Sequence, residues 1–384
     1  MIRFILVVFF FIFLSLFSNF EPHYETWGSW FFAKVFSQSG QFVILDRSPI
    51  YTLYLMLFNW LGYPHSLTVE YIVSSGISVF SLYLFSKKYV GSKWAVFISI
   101  LWIPFLQVSP PPVQKLAFAS SLFAFYFRQR KKNGDLSLSY AFLVLSYFLR
   151  GSYLLVLLLF LMYDFYVIIK SLKLNKKLPQ IKFNWKFLYI IFLLGMLPIF
   201  SVYQSSHKWN NVWYSDTTWY PTNGKKLSDS VLVYGTVLSK FRQMNNVWQV
   251  NSNDAYSTYK TYFNQEKTMS DILRNHFKFL VVQRIQNIKS FIRIQYDMTF
   301  FQVMLNGRFG MVLSRLLVII VFYSVFSLCV RLKDVDLIIF MLGNGLTLLG
   351  ITFFGPSQRY MYPAIPFYTF FSKSRAVTFY ATYY

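Results

Sequence analysis

Apolar runs approaching the ~20 residues that cross a bilayer alternate with short polar links along most of this chain. Hydropathy and link charge together predict ten helices, over about 2–20, 67–86, 93–108, 113–127, 137–149, 152–169, 185–204, 310–330, 335–353 and 360–372. Pro110, Pro111 and Pro112 forbid a continuing helix and mark one of the links. Two stretches interrupt the rhythm, a loop over 21–66 and a hydrophilic segment over 205–308. Within the loop, Pro49–Gly62 is apolar enough to rest at the interface.

Charge orients this pattern. Lys87-Lys88, the run Arg128-Gln129-Arg130-Lys131-Lys132, the lysines at 170, 173, 176 and 177, then Arg331 with Lys333, and Lys373 with Arg375 all close helices on one side. Such a bias puts those links in the cytoplasm, both termini with them, and the loop 21–66 and segment 205–308 outside. Ile2–Phe20, with Arg3 ahead of an apolar body and no A-x-A-like cleavage site, reads as a retained signal anchor. The expected fold class is an all-α polytopic membrane protein in a bacterial or archaeal plasma membrane. Its parts are a membrane module over 1–204, an outer segment over 205–308 and C-terminal membrane helices over 309–384. The outer segment is rich in Trp and Tyr, and its later part (Ser270 to Tyr296) spaces Ile272, Leu273, Phe277, Leu280, Val281, Ile285 and Ile288 helically among basic residues. That spacing predicts an amphipathic helix on the membrane surface, with Ser270 and Asp271 at its start.

Composition agrees with the pattern. Of 384 residues, 55% are hydrophobic, 22% aromatic and 13% charged, against about 25% charged in soluble domains. The net charge of +23 sits in the links and accounts for orientation and anionic headgroups rather than nucleic acid. A single cysteine, Cys329, excludes a disulfide framework and a thiolate metal site. No Walker loop, zinc-spaced cluster, nucleophile elbow or dinucleotide fingerprint occurs, and His23, His65, His207 and His276 are scattered.

Chemistry-bearing residues gather in the outer loop. Glu21, Glu25 and Asp46 stand there in a half of the chain poor in acids. Glu25 follows Tyr24 and precedes Trp27 and Trp30, a setting where burial raises a carboxyl pKa towards that of a general base. An interfacial charge within an aromatic belt accounts for it equally well. Lys115, Arg150 and Arg359 end helices on the outer side, where positive charge is disfavoured by topology. Together with Arg47 they form a candidate phosphate site, each also explicable as a snorkelling anchor. Glu70, near a helix start, and Asp164, near a helix end, read as interfacial charges.

The loop resembles that of the GT-C polyprenol-phosphate-sugar glycosyltransferases, in particular the protein O-mannosyltransferase and lipid A aminoarabinose transferase branch. Glu25 precedes Gly40, and Asp46-Arg47-Ser48-Pro49-Ile50-Tyr51 follows, similar to the family's acid, amphipathic stretch and D-K-P-P-L-Y-like motif. Arg150-Gly151 resembles the family's Lys/Arg-Gly. Gln358-Arg359-Tyr360-Met361-Tyr362-Pro363-Ala364-Ile365-Pro366 resembles its R-Y-x-x-P-x-x-P. The departures are Glu for Asp, Arg for Lys, and one Pro where two are common.

The resemblance implies an inverting transfer of sugar from a polyprenyl-phosphate donor to a glycan, lipid or protein acceptor on the outer face. Glu25, with Asp46 at the start of the motif, would be catalytic. Glu21, Arg47, Tyr51, Lys115, Arg150, Arg359 and Tyr360 would bind substrate. A divalent cation, magnesium or manganese, is left open, and no metal ligand is assigned. Two rivals stand beside this reading. One is a polysaccharide polymerase acting on lipid-linked repeat units, and the other is a flippase or transporter of lipid-linked sugar, a class marked by internal repeats and mid-membrane charges.

Overall fold

The computed structural model describes residues 24–40, 48–101, 112–130, 132, 134–175, parts of 189–197, 261–262, 269–297, 312 and 334–354. Every regular element among these described residues is helical. Helix α1 (Tyr24–Ser39) ends at Gly40, whose φ of +66° lets its N–H return to the Phe36 carbonyl at 2.8 Å. Helix α2 (Pro49–Met56) starts where its sequence dictates. Ser48 accepts from the Tyr51 N–H at 3.4 Å, and Pro49 occupies the first turn.

Helix α3 (His65–Leu101) is two helices joined at Gly91, whose φ of 78° is not helical. The break lies just past Lys87-Lys88, within the interval between the expected helices over 67–86 and 93–108. Helices α4 (Pro112–Arg130), α5 (Asp135–Leu149), α6 (Leu154–Asn175) and α9 (Val335–Phe354) lie close to four other expected segments. Helices α7 (Met269–Asn275) and α8 (Phe277–Asp297) occupy the stretch expected to be amphipathic. The expected helices over 2–20 and 360–372 lie outside the described residues, as do nearly all of 310–330 and most of 185–204.

Cross-helix contacts set the directions. Ser78 meets Lys115 and Lys88 meets Gln129, so the first part of α3 runs parallel to α4. Ser146 meets Ala117 and Arg130 meets Asp135, so α5 returns antiparallel to α4. Thr347 Oγ1 donates to the Ser152 carbonyl at 3.0 Å while Asp336 pairs with Arg128, so α9 opposes both α6 and α4. Between them Phe85, Phe125 and Phe340 form an aromatic centre with ring separations of 4.8 to 5.8 Å. Helices α6 and α9 come closest at Gly343, where an added Cβ would stand 2.9 Å from Val156 Cα.

One end of this bundle is tied by charge. Arg128 binds Asp164 with two guanidinium nitrogens and Asp336 through Nε at 2.8 Å. Tyr140 donates to the same Asp164 at 2.5 Å, and Gln129 donates to Asp334 at 3.0 Å. Arg130 pairs with Asp135 at 2.5 Å. Asp164, expected to be an interfacial charge, is a bonded member of a polar knot joining α4, α5, α6 and α9.

Polar and apolar side chains are distributed in an unusual sense. Ser66, Ser74, Ser75, Ser78, Ser81 and Ser86 of α3 are buried, as are Asn344 and Thr347 of α9. Meanwhile Leu158, Leu161, Met162, Phe165 and Tyr166 of α6 face outward. Small polar residues packed between helices, with large apolar ones outside, suit a bundle surrounded by lipid. Two helical stretches, His65–Ser99 and Gly151–Lys173, are long and apolar enough to cross a membrane. Helix α8 follows the same sense. It buries Leu280, Gln283 and Asn287, packs on α9, and exposes Phe277, Val281, Ile285 and Ile288.

Candidate functional site

The end of the bundle opposite the charged knot collects the buried polar groups that have least structural explanation. Helix α2 directs Tyr51 inward until it is 1% exposed, within the same core as Ala33 of α1 and Leu55. The capping of α2 by Ser48 and Pro49 therefore does more than start a helix. It sets the rotation that turns Tyr51, one turn later, towards α3.

On α3, Ser66, Glu70, Ser74 and Ser78 recur every fourth residue, so they share one face. All four are buried, and Glu70 is 0% exposed. On α4, Lys115 lies one turn inside the helix start and is also 0% exposed. The Ser78 hydroxyl donates to the Lys115 carbonyl at 3.0 Å, which ties the two helices together at this level. The Lys115 ammonium donates to Ser75 Oγ at 2.9 Å and stands 3.5 Å from the centroid of the Tyr71 ring. A cation on a ring face is stabilised by the ring quadrupole, most strongly when water is absent.

The electrostatics centre on Glu70. Lys115, Ser74 and Tyr51 all act on its carboxyl, and Tyr54 feels its charge. Neither carboxylate oxygen reaches hydrogen-bond geometry with any described residue. Because the Lys115 ammonium is directed to Ser75 and Tyr71, the carboxylate keeps its accepting capacity. Withdrawing such a group from water costs several kcal/mol unless donors replace the solvent. The arrangement offers a buried acceptor, a buried cation and tyrosine hydroxyls within one small volume.

The structure brings together two of the residues singled out from sequence, Tyr51 and Lys115, although 63 intervening positions separate them (115 − 51 − 1). Arg150 ends α5 at the same end of the bundle, its backbone N–H on the Ser146 carbonyl at 2.9 Å and Ser146 Oγ on the Ala117 carbonyl at 2.7 Å. Glu25 lies in the first turn of α1, and its side chain is outside the described set. Glu21, Asp46, Arg47, Arg359 and Tyr360 lie outside the described residues, as do His23 and His207. His65 opens α3, and His276 separates α7 from α8. Among the described residues no group of three or more His, Cys, Asp or Glu side chains is placed to hold a metal ion.

Glu70 is the residue that sequence reasoning set aside. Its position near a helix start suggested an interfacial charge, whereas packing buries it completely. A legible signal existed in the four-residue recurrence of Ser66, Glu70, Ser74 and Ser78 along an otherwise apolar helix. A polar stripe of that kind faces other helices, because lipid offers it no partner. Comparison of the chain with family models, with curated proteins and with solved structures finds no match.

Proposed function

We propose that this chain is a multi-pass membrane glycosyltransferase that moves a sugar from a polyprenyl-phosphate donor to an acceptor hydroxyl on the outer face. The observation that carries the reading is the convergence of Tyr51, which closes the D-R-S-P-I-Y motif, with Lys115 in one buried polar cluster. The motif resemblance points to Tyr51 and outer-side positive charge points to Lys115, and both act on the same buried Glu70.

In the proposed reaction the acceptor oxygen attacks the anomeric carbon from the face opposite the phosphate. The bond from that carbon to the phosphate oxygen breaks, and its electron pair leaves on the polyprenyl phosphate. Glu25 takes the acceptor proton, and Asp46 helps to position the acceptor. Arg47, Lys115, Arg150 and Arg359 are assigned to the charge that develops on the leaving phosphate, usually the largest electrostatic contribution in such a step. Glu21, Tyr51 and Tyr360 are assigned to the substrate. The polyprenyl tail lies against the outward apolar helix faces.

The test is a comparison of lipid-linked and acceptor-linked glycans by mass spectrometry in cells with and without the protein, joined to in vitro transfer from polyprenyl-phosphate hexoses. Accumulated donor and lost acceptor product in its absence support the reading. Unchanged glycans together with no transfer in vitro reject it.

One observation favours a second reading. Glu70 is a wholly buried ionisable group coupled to Lys115, and intramembrane ionisable groups often serve translocation. Proteoliposomes that flip a lipid-linked sugar without transferring it would support that alternative.

A further inference from the structure

The Glu70 carboxylate poses a chemical question that the described residues leave unanswered. It is fully buried, and although the Ser74 and Tyr51 hydroxyls lie near it, neither oxygen reaches hydrogen-bond geometry with a described residue. Its nearest opposite charge is committed elsewhere, with Lys115 on Ser75 Oγ at 2.9 Å and over the Tyr71 ring. The helical N–H groups nearby serve the backbone ladder and add no donors.

The chemistry of the cluster narrows what can satisfy it. A cationic ligand would meet Lys115, and an anionic one would meet Glu70. A neutral group rich in O–H donors meets neither penalty. It donates to the carboxylate and leaves the Lys115 ammonium to the phosphate that it carries. A sugar ring is such a group. We propose that Glu70 is the residue that reads the donor sugar, its carboxylate accepting from ring hydroxyls. This rests on the glycosyltransferase reading and adds a specificity-determining position that lies outside the motif loop.

The division of labour follows. The cations assigned to phosphate hold the part that every donor shares, and Glu70 discriminates among the sugars attached to it. A site built to bind hydroxyls rejects an analogue lacking one strongly, because its buried acceptor is then left unpaired.

The experiment uses the full-length protein in nanodiscs. Binding of undecaprenyl phosphate is compared with binding of undecaprenyl-phosphate mannose, glucose and galactose. Wild type should bind one of the glycosylated lipids about tenfold or more tighter than the bare phosphate lipid, the factor expected from one or two charge-assisted hydrogen bonds. Glu70→Gln should lose that gain to within about threefold while keeping its affinity for undecaprenyl phosphate. Glu70→Asp, which retains the charge but shortens the reach, should change the order of preference among the three hexoses. A melting curve for each variant verifies folding.

Retention of the full gain in Glu70→Gln overturns the proposal. Equal loss of both lipids in a folded Glu70→Gln variant overturns it too, because the carboxylate would then be structural. Wild-type protein that binds neither lipid overturns the glycosyltransferase reading itself. Wild-type transfer with an intact gain in Glu70→Gln sinks only the role of Glu70.

Discussion

Lys115 donates to Ser75 at 2.9 Å while Glu70, five residues before Ser75 and equally buried, receives no donor from it. The two ionisable groups act on each other without bonding. Loss of either therefore leaves the other buried and uncompensated. Lys115→Met should destabilise the protein by about 3–5 kcal/mol, the range found when one partner of a buried pair is removed. Combining it with Glu70→Gln should recover much of that stability but no transfer activity. Thermal unfolding of purified protein with a parallel transfer assay measures both arms.

Glu25 is expected to carry the acceptor proton. Glu25→Gln should abolish sugar transfer and leave expression and membrane insertion intact, because the change removes basicity and keeps shape. A transfer assay on purified variant, normalised to folded protein by size-exclusion chromatography, decides this. Full activity in the variant would end the assignment.

At the other end, Arg128 holds Asp164 and Asp336 at once, joining α4 to α6 and α9. Arg128→Gln should therefore cost about 3–5 kcal/mol. Asp164→Asn should cost less, since Arg128 keeps Asp336 and the Asn side chain can still accept from Tyr140. Both variants should leave donor affinity unchanged in the protein that remains folded, as read from ligand titrations.

Gly343 faces Val156 so closely that a new Cβ would sit 2.9 Å from backbone Cα. Gly343→Ala should separate α6 from α9 and cost about 1–3 kcal/mol. Val156→Ala should fail to rescue it, because the clash is with the main chain and not only with the valine methyl groups. Melting temperatures of the single and double variants provide the check.

Helix α8 presents Phe277, Val281, Ile285 and Ile288 on its unpacked side, with Lys278 and Lys289 exposed beside them. In a bilayer the apolar stripe should lie at the acyl boundary. Nitroxide labels at Val281→Cys and Ile285→Cys, in a Cys329→Ser background, should be more accessible to oxygen than to a water-soluble nickel chelate. Lys278→Cys should show the reverse order.

Much of the secondary structure was readable from the chain. Helix limits depend on local chemistry: Ser48 and Pro49 open α2, Gly40 closes α1, and Gly91 breaks α3. Short-range steric and hydrogen-bonding preferences decide such points, so they survive in the sequence. The motif resemblance also points to Tyr51, and a positive charge at a helix end points to Lys115, two residues that both act on Glu70.

What the chain alone determined, then, is where helices start, stop and carry charge. Tertiary structure decided which face of each helix is inside. Hydropathy cannot separate a lipid-facing leucine from a packed one, so the outward face of α6 became visible only with its neighbours in place. The same holds for charge. Asp164 and Arg128 are 36 positions apart, and Glu70 meets Lys115 across two helices. Whether a carboxylate ends bonded, as Asp164 does, or buried with its accepting capacity unspent, as Glu70 does, depends on how helices pack side by side. That packing sums contacts between distant segments and leaves no local mark on the residues themselves.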